Sequence, residues 1–249
     1  MTQLLLHRGG QECSLDDLRS IPVPPRTNSF VPISHYDFSM KIGSIAQDLL
    51  PEYKLERSRF GTARSHQQLF GIHTFRTHSD SLGLSLGFRS SLDKSLSAGL
   101  VVGASVFVCD NLCMSSDSQV MRLRKHTTNI LDDLEMIIVR CVLQARSTFQ
   151  SIETESEMMK EIPIEDRRAW ETLGYLFGKK VITARQLSVA MKEWHNPSHI
   201  EFEPRTQWSL FNAVTESLKS TQPGKIFEKH IALNQLLAPA HNELSMGRN

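Results

Sequence analysis

The sequence has little of what marks membrane-spanning or disulfide-rich proteins. Four cysteines in 249 residues are too few for a disulfide framework in a chain of this length. Its most apolar stretch, residues 96–109, is too short to span a bilayer, and the run Leu4–Leu6 is too short for a secretory signal. We therefore expect free thiols in a cytoplasmic protein that has no membrane partner.

Signatures of common enzyme and metal sites are also sparse. No cysteine lies in a nucleophile signature, and the glycines from Gly83 to Gly103 are spaced as in strands rather than clustered in a phosphate loop. His195 and His199 have the spacing of a helical metal pair, but Pro197 interrupts a regular helix between them and favours loop histidines. The sequence predicts a protein that is not an enzyme and has no cofactor or metal.

The formal net charge of +1 conceals an uneven distribution. Residues 54–129 carry ten basic and five acidic side chains, whereas residues 130–170 carry five basic and nine acidic ones. A basic region favours contact with phosphates, and a solvated or protein-facing surface remains the alternative. The candidate nucleic-acid-binding residues are Arg57, Arg59, Arg64, Arg76, Arg89, Lys94, Arg122, Arg124, Lys125 and His126.

Hydrophobic spacing divides the chain into three predicted segments. Residues 1–34 contain Pro22, Pro24 and Pro25 and are predicted to form an extended, poorly packed arm. Residues 35–162 are predicted to form an α+β core, and residues 163–249 a helical region. The core begins with a short helix over 40–50, with Ser39 as its N-cap.

Alternating hydrophobicity then predicts an antiparallel meander of three to four strands. The runs lie around residues 53–55, 68–75, 82–88 and 101–108. In the third run Leu and Phe occupy one face, while Gly83, Ser85 and Gly87 occupy the other. A face of glycine and serine admits close approach of either a packed helix or a ligand.

Helical spacing dominates the rest of the sequence. A stripe from Ile130 to Ala145 predicts a long helix that packs on the meander and runs towards residue 160, where Pro163 ends it. Further helices are predicted over 165–177, 184–194 with Thr183 as N-cap, 205–220 and 225–237. The expected fold class is therefore α+β, with a helical C-terminal half.

Two motifs resemble a known family. The run from Arg89 to Asn111 with the following Arg124–Thr127, and the later Asn-Ala-Val-Thr-Glu at 212–216, are similar to the phage/plasmid-like protein family, a domain of unknown function. The resemblance implies a protein carried by phages, plasmids or integrated elements. Besides Cys109, Lys94, Lys125 and His126, the matching positions are Asp93, Ser95, Asp110, Asn111, Asn212 and Glu216.

The predicted order of helix, meander and long helix also resembles, by topology alone, the core of phage single-strand annealing proteins. That likeness implies single strands bound in a basic groove between sheet and helix, and assembly as a homo-oligomer. We expect Lys94, Arg124, Lys125 and His126 to converge on an anion at the junction of sheet and helix. The function predicted is DNA binding in a bacterial host cell, related to annealing or recombination. The alternative is a non-enzymatic anti-defence protein that binds a host protein.

Overall fold

A computed structural model of the chain describes residues 10–114, 121–127 and 129–238. These ranges form the predicted α+β fold with a helical C-terminal half. The strands are β1 (Gln11–Cys13), β2 (Lys54–Ala63), β3 (Gln68–Arg76), β4 (Leu82–Ser91), β5 (Ala98–Val106), β6 (Leu112–Met114) and β7 (Met121–Arg124). The helices are α1 (Leu15–Ser20), α2 (His35–Leu49), α3 (Ile130–Glu161), α4 (Asp166–Gly178), α5 (Ala184–His195), α6 (Gln207–Leu218) and α7 (Pro223–Leu237).

The predicted meander is confirmed and consists of four long strands, β2 to β5. All neighbouring strands of the sheet are antiparallel, in the order β1-β2-β3-β4-β5, and both β6 and β7 pair with the outer edge of β5. β2 continues to Ala63, well beyond its predicted end, and contains a register shift between Leu55 and Arg57. β1 pairs with only three residues of β2, Phe60 to Thr62.

One face of the sheet holds the main hydrophobic core. Leu84, Leu86 and Phe88 on β4 are fully buried there, next to their register partners Ala104, Val102 and Leu100 on β5. The core continues into α2 and α3, whose residues Phe38, Ile42 and Ile138 are also buried. Period-two alternation on the strands and period-3.6 spacing on the helices thus meet in one interface. The same cluster extends to residues of α1, α5 and α6.

The opposite face carries the predicted glycines and serines, and aromatic side chains cover it. A Cβ atom built on Gly87 would lie 2.8 Å from the ring of Phe227 on α7. A Cβ atom on Gly83 would lie 2.7 Å from the ring of Phe107, in the loop after β5. The close approach predicted from the sequence is therefore made in part by a packed helix.

The helix predictions hold best where capping signals are local. α3 begins at Ile130 and ends at Glu161, before Pro163, and Thr183 caps α5 with a complete capping box. The N-cap of α2 is Ser34 rather than Ser39, whose hydroxyl donates to the carbonyl of His35 inside the helix. Within the ranges described, no helix combines the length and the apolar character needed to cross a bilayer.

The prediction of an extended, poorly packed N-terminal arm is wrong around Leu18 and at residues 30–33, whereas residues 22–29 are mostly exposed. Leu18, Phe30, Val31 and Ile33 are all buried, and α1 is capped by Ser14. The backbone N–H of Val31 donates to the carbonyl of His126 at 3.0 Å. Prolines disfavour helix and central strand, but they do not prevent the residues that follow them from packing on the core.

Gly71 on β3 provides a test of how tightly the main core is packed. A Cβ atom there would lie 2.2 Å from the fully buried ring of Phe88, so Gly71→Ala must displace that ring. We expect a loss of roughly 1–3 kcal/mol in the free energy of unfolding, measured by urea denaturation. Gly174→Ala is the control: the exposed glycine of α4 has no neighbouring atom within 4 Å, and the change should stabilise the helix by roughly 0.5–1 kcal/mol. A Gly71→Ala protein as stable as the wild type would contradict this packing.

Four buried histidines make the fold sensitive to acid. Burial lowers the pKa of His35, His73 and His230 to about 4 and also lowers the pKa of His126. Because the unfolded chain takes up protons near the ordinary value of 6.5, the full stability is present above that pH and is lost as the pH falls towards 4.

We therefore expect the free energy of unfolding, measured in urea, to decrease steadily between about pH 7 and about pH 5. Replacing the fully enclosed His230, as in His230→Leu, should make this decrease less steep. The exposed His78 supplies the control, because His78→Gln should leave the slope unchanged. A free energy of unfolding that does not change over this pH range would contradict the burial of these histidines in their neutral form.

Candidate functional site

Three connecting segments meet at one end of the sheet. In an antiparallel meander the β2–β3 and β4–β5 turns lie at the same end, and Arg124 at the end of β7 pairs with Ala98 at the start of β5. The backbone N–H of Leu92 donates to the carbonyl of Gln67 at 2.8 Å and joins the two turns. The topology thus brings basic residues that are far apart in sequence to one place.

This end of the sheet contains a cavity of about 270 Å³, which we name the Lys94–Lys125 pocket. It is lined by Ser29, Phe30, Lys94, Ser95, Leu96, Ser97, Lys125, His126 and Thr127. Of the four residues predicted to converge here, Lys94, Lys125 and His126 line the pocket together with Ser95, and Arg124 does not. None of these lining residues is acidic.

The two lysines of the pocket are exposed and have no acidic partner among the residues that the structure describes. Within the described part of the chain, neither Lys94 nor Lys125 has a carboxylate within 4.0 Å. The Nζ atom of Lys94 lies 5.2 Å from the centroid of the Phe30 ring, within the range of a cation–π contact. The pocket therefore presents two positive charges that no described acid neutralises.

The carboxylate of Asp93, beside the pocket, already has hydrogen-bond and ion-pair partners. Its carboxylate accepts from the backbone N–H of Ser95 at 3.0 Å and from the Ser95 hydroxyl, and it lies 3.8 Å from Arg64. Partial burial acts to raise the pKa of Asp93, but the hydrogen bonds from Ser95 outweigh it and hold the pKa below its ordinary value. Asp93 thus stabilises the β4–β5 turn that positions Lys94.

The backbone around the pocket is strained. Lys94 has φ 65°, and the consecutive residues Arg64, Ser65 and His66 have φ 53°, 52° and 65°. Left-handed conformations of this kind cost about 1–3 kcal/mol each and concentrate at binding and catalytic sites. Strain in both turns marks this end of the sheet as a candidate functional site.

His126 forms an uncharged inner wall of the pocket. Its Nδ1–H donates to the carbonyl of Val31 at 3.1 Å, and Nε2 lies 3.4 Å from the hydroxyl of Ser90. Because burial lowers its pKa, His126 contributes a neutral imidazole rather than a charge.

The other candidate basic residues lie apart from the pocket or are bound to acids. Arg57 and Arg59 both form ion pairs with Asp110, and Arg59 approaches it to 2.8 Å. Arg124 forms an ion pair with Asp133 of α3. The side chain of Arg122 lies outside the described residues.

Two more arginines are held elsewhere on the sheet. Arg76 pairs with Glu56 at 2.6 Å and lies over the ring of Phe107. The side chain of Arg89 is 7% exposed, and two nitrogens of its guanidinium donate hydrogen bonds to the carboxylate of Glu228 on α7. The ten predicted residues therefore do not line one continuous groove.

The remaining motif residues form a second, structural cluster. The side-chain amide of Asn111 donates to Asn212 Oδ1 at 3.0 Å, and the buried Nζ of Lys219 donates to the carbonyl of Cys109 at 2.7 Å and pairs with Glu216. The carboxylate of Asp110 forms ion pairs with Arg57 and Arg59. This cluster attaches the loop after β5 to α6.

A further pattern, Gly-x-Ser-x-Gly at residues 83–87, has the letters of a nucleophile elbow but not its structure. Ser85 lies in the middle of β4, is fully buried, and donates to the hydroxyl of Ser105 at 2.8 Å. A nucleophile elbow instead places its serine at an exposed turn between strand and helix. Of the two histidines considered as a metal pair, His195 packs on Trp170 and His199 on Phe202.

Sequence reasoning missed part of the pocket lining and the buried Lys219. Ser97 and Thr127 are adjacent to predicted positions, and their hydroxyls offered a signal. Ser29 and Phe30 belong to the segment predicted to be poorly packed, where the apolar pair Phe30–Val31 after the prolines was the available sign of burial.

The Asn111–Asn212 contact gives a test of the second cluster. Asn111→Ala should lower the free energy of unfolding by roughly 1–3 kcal/mol, because it leaves buried polar groups of α6 without their donor. A double-mutant cycle with Asn212→Ala, followed by urea denaturation, should give a coupling energy of at least about 0.5 kcal/mol. The exposed Asn196 is the control, and Asn196→Ala should change stability by no more than about 0.5 kcal/mol. Strict additivity of the two core changes would argue against the contact.

Comparison with known proteins identifies the family. No curated protein and no solved structure matches the chain. The family model for "Domain of unknown function (DUF932)" matches residues 52–238, a range that contains β2 to β5, α3 and the motif residues from Asp93 to Glu216. Since this match covers well over half of the chain, the protein belongs to the DUF932 family.

Proposed function

We propose that this protein is a DNA-binding protein of a phage or plasmid that acts in the bacterial cytoplasm. Single-stranded DNA is the favoured form, and the Lys94–Lys125 pocket is the contact for its phosphates. The link to mobile elements rests on the resemblance of its motifs to the phage/plasmid-like family. A role in annealing or recombination rests on topology alone, and homo-oligomer formation stays a prediction.

The observation that carries the proposal is the pattern of charge pairing. Arg57, Arg59 and Arg89 are held by acids of the same chain, whereas Lys94 and Lys125 share a pocket that has no acidic lining residue. Lysines without acidic partners, next to serine and threonine hydroxyls, supply the donors that phosphate oxygens accept.

The same pattern limits the size of the contact. Two neighbouring candidate cations are already engaged, since Arg64 lies close to Asp93 and Arg124 pairs with Asp133. Each phosphate contact with a single strand contributes a slope of about −0.7 to the dependence of log affinity on log salt. We therefore expect modest affinity and a total slope of about −1 to −2, rather than the steep dependence of an extended basic groove.

Substitution of the two pocket lysines tests the proposal. Asparagine tolerates the left-handed backbone of residue 94, so the variant Lys94→Asn/Lys125→Ala removes both charges with little added strain. Fluorescence anisotropy with a single-stranded oligonucleotide should show affinity reduced by about tenfold or more and a slope reduced by about one.

The matched control is Lys54→Ala/Lys192→Ala, which removes the same charge from exposed positions on β2 and α5. Because Lys54 begins β2 at the opposite end of the sheet, this control should bind like the wild type. Equal losses of affinity in both variants would show that binding depends on net charge alone and not on the pocket. Unchanged binding by the pocket variant would remove the pocket from the proposal, and a wild type that binds no oligonucleotide would overturn the proposal as a whole.

A second candidate function is binding of a host protein in an anti-defence role. It is favoured by an apolar cavity of about 280 Å³ at the other end of the sheet, lined mainly by Val106, Val108, Phe202, Pro204 and Trp208. Val108 and the nearby Ile200 are exposed. Recovery of one host protein in stoichiometric amount, lost on Val108→Asp and kept in Lys94→Asn/Lys125→Ala, would support this function over DNA binding.

A further inference from the structure

The shape of the Lys94–Lys125 pocket points to a particular part of a DNA strand. Resting on the proposed function, we propose that the pocket binds the phosphate monoester at the end of a strand in preference to a phosphodiester within it. Three features favour the monoester: the closed inner side of the pocket, its charge, and hydroxyl groups that have no partner among the described residues.

Buried residues close the inner side of the pocket, which makes it a recess in the surface. Phe30 and His126 are 5% and 6% exposed and form the inner side, while segments 94–97 and 125–127 supply the rest of the lining. At about 270 Å³ the cavity lies just below the range of about 300–1,000 Å³ typical of small-ligand pockets. A single phosphate group and part of its nucleotide match this space, whereas a continuing strand needs an extended path.

The surroundings of the recess offer little continuation for such a path. Two candidate cations of the adjoining segments, Arg64 and Arg124, lie against Asp93 and Asp133. Proteins that follow a single strand instead use a positively charged groove spanning several nucleotides. The isolated pair of lysines therefore matches one phosphate better than a row of them.

The charge of the pocket favours a monoester over a diester. A phosphate monoester carries about −1.5 to −2 charge near pH 7, whereas an internal phosphodiester carries about −1. Lys94 and Lys125 together present two positive charges without a described acidic partner. The second lysine contributes most to binding when the phosphate carries the additional negative charge of a strand end.

The hydroxyl groups are the third feature that favours the monoester. The side chains of Ser29, Ser97 and Thr127 line the pocket and make no hydrogen bond to other described residues. The Ser95 hydroxyl, in contrast, is engaged with Asp93 and Gln68. A monoester offers three terminal oxygens to such donors, and a diester offers two.

The experiment compares one single-stranded oligonucleotide in three forms: a 5′-phosphate, a 3′-phosphate, and hydroxyls at both ends. With an internal fluorophore, anisotropy should show one phosphorylated form bound about tenfold or more tightly than the hydroxyl form. Lys94→Asn/Lys125→Ala should abolish this preference, and the Lys54→Ala/Lys192→Ala control should keep it. Ser97→Ala, which leaves both charges in place, should reduce the preference by a few-fold and so separate the hydroxyls from the lysines.

Each other result has a distinct meaning. Equal binding of all three forms, still lost in the pocket variant, overturns the preference for strand ends while DNA binding at the pocket stands. Competition by a deoxynucleoside monophosphate as effective as that of the phosphorylated strand makes the free nucleotide the ligand and overturns recognition of a strand. Absence of binding to every oligonucleotide overturns both proposals. Urea midpoints equal to that of the wild type confirm that each variant folds.

Discussion

The alternation of large and small side chains along β4 is the constraint on which the rest of the fold depends. Leu84, Leu86 and Phe88 bury one face against α2 and α3, while glycines on the other face let aromatic rings lie directly on the backbone. Because Phe107 fits over Gly83, the loop after β5 folds back across the sheet and places Asp110 beside two arginines of β2. Because Phe227 fits over Gly87, α7 lies close enough for Glu228 to bind Arg89. The pairing of charges thus follows from the packing of one strand.

This dependence explains why the charge distribution along the sequence differs from the distribution of unpaired charge in the folded chain. Counting along the sequence finds a basic region and an acidic one, but the folded chain neutralises most of the basic region with its own acids. Those pairs join residues that are far apart in the sequence, as Arg57 with Asp110 and Arg89 with Glu228 do. Such contacts contribute modestly when exposed, whereas the deeply placed Arg89 would be costly to leave unpaired. What remains unpaired is therefore more informative about binding than the total charge.

Local signals allowed much of the fold to be predicted from the sequence. The apolar stripe of α3, the proline after it and the capping box of α5 each act within one or two turns of helix, so short windows were sufficient. The polar run Lys-Leu-Glu-Arg-Ser-Arg of β2 has no such signature, because its strand conformation depends on pairing with β1 and β3. Burial of Phe30 and Val31 was hidden by the prolines before them for the same reason: it is decided by contacts with distant residues.

The candidate site, like the fold, could be predicted from the sequence only in part. Of Lys94, Arg124, Lys125 and His126, which were predicted to converge, all but Arg124 line one pocket. The β4–β5 turn supplies Lys94, and the pairing of β7 with β5 brings residues 125 and 126 to the same end of the sheet. The depth of Arg89 and the acids that bind Arg57, Arg59 and Arg124 could not be predicted, since no local pattern specifies a partner on another element.

The short pairing of β1 has a consequence for how copies of this chain meet. β1 covers Phe60 to Thr62, so among the described residues the first half of β2 forms an open sheet edge. That half carries Lys54, Arg57 and Arg59, and its register shift interrupts the regular ladder. Charged side chains and bulges are the means by which natural sheets prevent another strand from adding to an edge. The arginines that pair with Asp110 thus also protect this edge of the sheet against aggregation through strand addition.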